Sequence, residues 1–405
     1  MNTPKHFLTV IPIGLFLGAL LIITYHPETT GAQSNDNNQT NQTFSELNDK
    51  GLELLNSGSY NDSLTFFDRA LTLSPDNAQI LDNKGFALYS LGNFSGAINY
   101  YDKALAIEPN FTAATKDKEL ALLRLGNQFL KPGSYPDAIG YYDKVLAING
   151  SNPHALNNIG FSIYSMGNYS EALPYYDRSL AIEPNNPVTL NNKGLALYYL
   201  GNSSGSLPYY DRAIAINPNY TDALVDKAVA LSQLGNDSQA LQFFDKALVL
   251  DPNHPGALNS KGMALVSLEK YSDAISLFDR LLAVQPNDPT ALVNKGFALY
   301  KLGKNDEAMT YYDKVLALAP NDTTALNNKG VVLLETGKND EAITYFDKVL
   351  ALDPRDVDSL NSKGVALANL KNYYEANKYF DKALEIDPGY GPAQRSKQQV
   401  LGFLK

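Results

Sequence analysis

From residue 44 onward the apolar positions follow a helical period, in short runs separated by polar turns. In residues 78–111, Leu81, Leu88 and Leu91 share one helical face, which Gly92 ends. Ala97, Tyr101, Ala104 and Leu105 form the stripe of a second helix that Pro109 prevents from continuing. The same two-helix pattern then recurs. Prolines at 75, 109, 184, 218, 252, 286, 320, 354 and 388 are spaced by 34 residues, except for a gap of 75 between Pro109 and Pro184. That gap is two periods plus seven residues, with Gly150 standing where a proline is missing. Ten blocks result: 44–77, 78–111, 119–152, 153–186, 187–220, 221–254, 255–288, 289–322, 323–356 and 357–390. The seven extra residues, 112–118, are helix-compatible and predict a helix about two turns longer than its counterparts.

Local signals agree with helix pairs. Asn152-Pro153, Asn186-Pro187 and Asp288-Pro289 each read as an N-cap followed by proline at the first helical position. Ser95, Ser170, Ser204, Ser238, Ser272, Asp306 and Asp340 are the expected caps of the second helices. Gly85 and its counterparts predict a close approach of the partner helix, with Ala228 standing there in the sixth block. The last stretch, 391–405, reads as a polar-faced helix capping the final pair.

Residues 1–43 have a different character. Phe7 to Tyr25 carries no charge over 19 residues, follows Lys5, and reads as a membrane-spanning anchor or as a signal peptide cleaved near Thr30-Gly31-Ala32. Both readings place the bulk of the chain outside the cytoplasm. Residues 26–43 contain no Lys, no Arg and no large apolar side chain, so they are expected to form a disordered polar stalk.

Composition removes whole classes of function. With no Cys there is no disulfide framework, no thiol nucleophile and no Cys-ligated metal. A formal charge of −10 disfavours nucleic acid as a partner. Four His residues are scattered, His6 and His26 near the start and His154 and His254 a hundred residues apart, and no phosphate-cradling loop or HExxH motif occurs. Hence no catalytic site, cofactor, metal or small-molecule substrate is expected.

Leu81, Gly85, Leu88, Ala97, Tyr101, Ala104 and Pro109 stand at the spacing of the tetratricopeptide repeat, and residues 44–390 resemble that family throughout. The resemblance implies an all-α, right-handed α-solenoid whose first helices line a concave groove and whose second helices form the convex side. It implies a protein–protein interaction scaffold. The groove positions would be the second, fifth, sixth, ninth, twelfth and thirteenth of each block. The sixth carries Asn83, Asn158, Asn192, Asn294 and Asn328, and the fifth Asn157, Asn191, Asn259, Asn327 and Asn361. Phe86, Phe161 and Phe297 occupy the ninth; Tyr89, Tyr164, Tyr198 and Tyr300 the twelfth. Side-chain amides both donate and accept, so a row of them suits the backbone of an extended peptide. The alternative is that these amides only satisfy polar neighbours. No block has Lys at the fifth position with Asn at the ninth (Leu123 precedes Asn127), so the clamp that holds acidic chaperone C-termini is not supported.

Asp-Lys or Asp-Arg recurs in every second helix, and eight blocks carry Lys just before the glycine position, which predicts inter-helix ion pairs with the Lys stem packed. Tyr100-Tyr101 and the similar pairs read as core and ridge aromatics. Eleven Asn-x-Ser/Thr sequons occur where roughly four are expected by chance. Turn chemistry accounts for Asn93, Asn168, Asn202 and Asn236 as well as glycosylation does, but not for Asn38 and Asn41 in the stalk. Two readings remain: an extracytoplasmic scaffold holding a peptide or partner protein, or a structural spacer without a groove ligand.

Overall fold

The computed structural model describes residues 42–403. The apolar segment 7–25, nearly all of the polar stretch after it, and the sequons Asn38 and Asn41 lie outside the described residues. The described chain divides at 218/219 into two units, each a run of helices packed in chain order. The first unit holds α1 (Phe44–Asn56), α2 (Tyr60–Leu73), α3 (Ala78–Ser90), α4 (Phe94–Ile107), α5 (Thr112–Gln128), α6 (Tyr135–Ile148), α7 (Pro153–Ser165), α8 (Tyr169–Ile182), α9 (Pro187–Tyr199) and α10 (Ser203–Ile216). The second holds α11 (Thr221–Gln233), α12 (Asp237–Leu250), α13 (Pro255–Ser267), α14 (Tyr271–Val284), α15 (Pro289–Lys301), α16 (Asn305–Leu318), α17 (Thr323–Glu335), α18 (Asn339–Leu352), α19 (Val357–Asn369), α20 (Tyr373–Ile386) and α21 (Gly391–Leu401). Odd-numbered helices are the first of each pair. The arrangement is a tandem array of helix-turn-helix repeats, an all-α solenoid.

Every pair except α11–α12, where Ala228 stands at the position, is locked by a missing Cβ. A Cβ at Gly85, Gly194 or Gly296 would lie 2.5–2.6 Å from the ring of Tyr101, Tyr210 or Tyr312 on the paired helix, and those rings are fully buried. The glycine thus lets an aromatic ring lie directly on the helix backbone, burying on the order of 200 Å² of ring surface per pair. First helices of successive repeats also touch, α1 with α3, α3 with α5 and α7 with α9 in the first unit, and each odd helix with the next from α11 to α21 in the second. First helices therefore share a face along the second unit and along α1–α5 and α7–α9 of the first.

The starts of the first helices match the Asx-Pro expectation. Asn152, Asn186 and Asp288 accept from the backbone N–H of Ala155, Thr189 and Ala291 at 2.8, 3.1 and 2.6 Å. At the start of the chain, Thr43 and Glu46 form a capping box on α1. The second helices start one residue before the expected caps, and their N-cap positions lie two residues before them. Ser95, Ser170, Ser204, Ser238, Ser272, Asp306 and Asp340 lie in the first turn rather than before it. Asn93 and Asn202 take the cap instead, their Oδ1 atoms accepting from Gly96 and Gly205 at 2.9 Å each. The reason is the turn: Gly92 and Gly201 sit at φ +80°, so one residue reverses the chain and the next already opens the helix.

The seven-residue insertion lengthens α5 to 17 residues, against 13 for α3 and α7, and not by two full turns. α5 begins in step with α4, and Lys118 pairs with Asp102 at 2.5 Å, sixteen residues back, as Lys84 pairs with Asp68. Eight residues further on, Gly126 receives the Tyr142 ring of α6. Seven residues make nearly two turns, so the face that packs backward and the face that packs forward stay aligned within about 20°. The helix ends early because Pro132 disfavours helical backbone at Lys131, and Phe129 to Gly133 form the connection instead.

Candidate functional site

The Lys–Asp pairs bind one repeat to the next. Lys261 meets Asp245 at 2.5 Å, and Lys84, Lys193, Lys295, Lys329 and Lys363 each pair with the Asp sixteen residues back, in the preceding repeat. The ammonium groups of Lys84, Lys295 and Lys363 also lie over a tyrosine of the following second helix, 4.3 Å from the ring centroids of Tyr100, Tyr311 and Tyr379. Burial lowers the Lys295 ammonium pKa, but the hydrogen bonds it donates to Asp279 and Tyr311 outweigh that and leave it raised. Where the lysine is present, the two members of a Tyr-Tyr pair thus have separate tasks. Tyr311 holds the lysine, and Tyr312 fills the glycine notch.

On the first-helix face the asparagines form rungs between repeats. A sixth-position amide donates to the fifth-position amide of the preceding repeat: Asn83 to Asn48 at 2.8 Å, Asn192 to Asn157 at 3.0 Å, and Asn294 to Asn259 at 2.9 Å. Where the fifth position is Leu123, the rung shifts, and Asn158 donates to Asn127 at 3.0 Å. Tyr142 donates to the same Asn127 oxygen at 2.7 Å, so the buried tyrosine hydroxyl reaches the rung. Asn157, Asn191 and Asn259 are buried, while Asn158, Asn192, Asn294, Asn327, Asn328 and Asn361 are half-buried. Farther along, the rungs are incomplete. Asn328 is in step with Val293, which has no amide; Asn327 accepts from Ser359 at 3.3 Å; and Asn361 Oδ1 has no partner.

Each rung uses one N–H and one lone pair of a pair of groups that together offer four donors and four acceptor sites. Beside the rungs, Phe86 packs with Tyr89 at 6.2 Å between ring centroids, Phe161 with Tyr164 at 6.4 Å, and Phe297 with Tyr300 at 6.3 Å. Phe86 is 39% exposed, and Phe161, Phe297 and the three tyrosines are half-buried. Tyr198 packs edge-on against Tyr199.

One rung differs. By the same 35-residue step the second block's fifth position, Asp82, faces Asp117 on α5, so two carboxylates stand where other rungs have two amides. Asp82 is 3% exposed. Burial, together with the charge of Asp117, raises its pKa to about 7. Asp117 is raised to about 6 by burial, opposed by Lys116. Reading from the sequence misses this pair because Asp117 falls in the insertion; the 35-residue spacing shared with Asn48 and Asn83 is the signal that identifies it.

His254 caps α13, its Nδ1 accepting from Ala257 at 3.1 Å while Nε2 meets Asp222 at 3.2 Å. No cluster of three or more potential metal ligands occurs among the described residues.

Models of the tetratricopeptide repeat match residues 81–111, 153–186, 191–255, 259–323 and 327–391, more than half of the chain. The chain belongs to the tetratricopeptide repeat family. Comparison with curated proteins gave no match. Among solved structures it is similar to a tetratricopeptide repeat protein from Parabacteroides merdae, with 19% identity, TM-score 0.52, and coverage of 62% of this chain and 98% of that one. It is also similar to a chain of the APC/C hetero-tetramer Cut9-Hcn1, with 15% identity, TM-score 0.55, and coverage of 88% and 87%. YrrB, described as a protein of this family with an unusual peptide-binding site, shares 30% identity over 47% of this chain and 97% of its own, with TM-score 0.38. Proteins of this family are generally non-enzymatic and bind peptides or proteins.

Proposed function

We propose that this protein is a binding scaffold that holds an extended peptide segment along the first-helix faces, with its repeats outside the cytoplasm. The observation that carries the reading is the alternation of amide rungs with half-buried Phe–Tyr pairs, of which Phe86 is the exposed member. The amides keep hydrogen-bonding capacity for a peptide backbone, and the rings offer apolar contact for its side chains. Because the amides also hold one another, phenylalanines are the better residues to remove. The full chain should retain a degenerate acetylated heptapeptide library, and a variant with Phe86→Ala, Phe161→Ala and Phe297→Ala should lose most of it while keeping its helical circular dichroism. Equal retention by both chains would contradict the reading.

The extracytoplasmic placement rests on the uncharged segment 7–25 behind Lys5, acting as an anchor or a cleaved signal, and on the sequons. No helix among the described residues is long and apolar enough to cross a membrane. Asn93, Asn168, Asn202 and Asn236 are exposed at the turns before second helices. A glycan would attach at Nδ2, leaving the capping Oδ1 of Asn93 and Asn202 in place. The intact mass of the protein from its native host tests this: a mass equal to the bare polypeptide removes the glycosylation, and loss of residues 1–32 identifies a signal peptide.

The structural spacer is the second reading, and the amide–amide bonds favour it, since rungs that satisfy each other need no ligand. The library experiment separates the two.

A further inference from the structure

Among the described residues neither Asp82 nor Asp117 forms an ion pair. The basic side chains beside it in sequence are turned to other partners: Lys84 to Asp68 and Tyr100, Lys118 to Asp102, and Arg124 to the Tyr89 hydroxyl at 3.3 Å. Lys116 acts on Asp117, but it is exposed and leaves the carboxyl well above its ordinary range. Asp82 Oδ1 is buried without a hydrogen-bond partner. A second observation comes from the paired helix. The Tyr101 hydroxyl is fully buried and equally unpartnered, and the charges acting on it are those of Asp117 and Asp82. The action of both carboxylates on it places the Tyr101 hydroxyl beside them, and its counterpart Tyr142 likewise donates into the displaced rung at Asn127. Two carboxylates, which accept once ionised, and a phenol hydroxyl, which can donate or accept, converge where the neighbouring rungs present balanced amides.

A buried polar atom left unsatisfied costs about 1–3 kcal/mol, and a buried charge more. One reason for a protein to keep such a rung is that something else completes it. We propose that Asp82 and Asp117, with Tyr101, form a subsite for a cationic side chain, lysine or arginine, of the bound peptide. The inference rests on the peptide-binding reading above and deepens it. The ammonium or guanidinium is donor-only, matching a site that is acceptor-rich, and its charge offsets the repulsion between the two carboxylates. Binding then releases protons that the raised carboxyls hold near neutrality, so affinity rises as the medium passes from about pH 6 to about pH 8.

The test uses the full chain and three degenerate heptapeptide libraries with the central residue fixed as Lys, Arg or Met. The comparison protein carries Asp82→Asn and Asp117→Asn, which rebuild the amide rung found between Asn48 and Asn83. The inference predicts retention of the Lys or Arg library roughly tenfold or more above the Met library, in line with a charge-assisted hydrogen bond. Which of the two is retained identifies the cation. The preference should vanish in the Asn variant, while retention of the Met library stays unchanged. Equal retention of all three libraries by both proteins overturns the subsite and leaves the groove reading standing. No retention of any library overturns both. Unchanged circular dichroism and thermal midpoint of the variant, or a higher midpoint, exclude misfolding as the cause of a lost preference.

Discussion

Asn192 on α9 donates its side-chain N–H to the Asn157 carbonyl oxygen on α7 across 3.0 Å, one repeat and one residue away. The bond ties neighbouring first helices together on the face where a ligand would lie. It gives the amides two roles, joining repeats and presenting the remaining donors and acceptors outward. Rung and ligand therefore compete for the same atoms only in part, and the structural contribution of each rung is a neutral hydrogen bond of about 1 kcal/mol.

The Lys–Asp pairs predict an asymmetry. Lys295 keeps its ammonium largely buried, whereas the Asp279 side chain is 54% exposed. Lys295→Met leaves an exposed carboxylate and a packed apolar stem, so it should cost at most about 1 kcal/mol after solvent screening. Asp279→Ala strands a largely buried ammonium and should cost more, roughly 1–2 kcal/mol, with the Tyr311 ring limiting the loss. Urea denaturation of the two variants measures the order, and a larger loss for Lys295→Met would contradict it.

The turn glycines predict two stabilising changes. Glu269 and Lys371 hold φ of +59° and +64° where eight other turns have glycine. A non-glycine residue in that region costs about 1–2 kcal/mol. Glu269→Gly and Lys371→Gly should each raise stability, by about 1 kcal/mol once the greater freedom of glycine in the unfolded chain is subtracted. Thermal midpoints that fall instead would show that the two side chains make compensating contacts.

Much of this architecture is legible in the sequence. The 34-residue proline period, the Gly85–Tyr101 notch and the Asx-Pro caps lead directly to helix pairs. The caps of the second helices are not legible in the same way, since Asn93 and Ser95 are both good caps and only the turn at Gly92 decides between them. The lysines mark an ion pair, yet nothing in the period tells whether Lys84 reaches its own repeat or the preceding Asp68. The groove asparagines can be found by position, but their bonding to each other depends on a 35-residue offset that a 34-residue block hides.

The insertion in α5 predicts which deletions the fold accepts. Removing residues 112–118 takes out nearly two turns and should preserve cooperative unfolding, at the loss of the Lys118–Asp102 pair. Removing five residues, 112–116, rotates the following face by about 140° and should abolish packing on α4 or α6. Circular dichroism melts distinguish these outcomes, and similar melts for both deletions would contradict the face argument.

The acidic rung predicts a pH dependence with a definite sign. Asp82 and Asp117 titrate near 7 and near 6 in the folded chain, above the ordinary 3.8. The folded state thus binds more protons than the unfolded state across that interval. Its stability is greatest below about pH 4 from these two groups and is lost as pH rises through 6 and 7. Asp82→Asn with Asp117→Asn should remove that loss, leaving the variant more stable by roughly 2–4 kcal/mol at about pH 8 and nearly equal at about pH 4. A gap that does not change with pH would show that the carboxyls are not desolvated together.

The central claim is that ligand lies on the first-helix face. A benzophenone photo-cross-linking residue in place of Phe86, Phe161 or Phe297 tests it directly when compared with the same residue at Ala181 or Ala317, which are exposed on the second helices α8 and α16. With a biotinylated heptapeptide library, the account predicts covalent capture at positions 86, 161 and 297 and none above background at 181 and 317. Capture at 181 and 317 to the same extent, or only there, would contradict it.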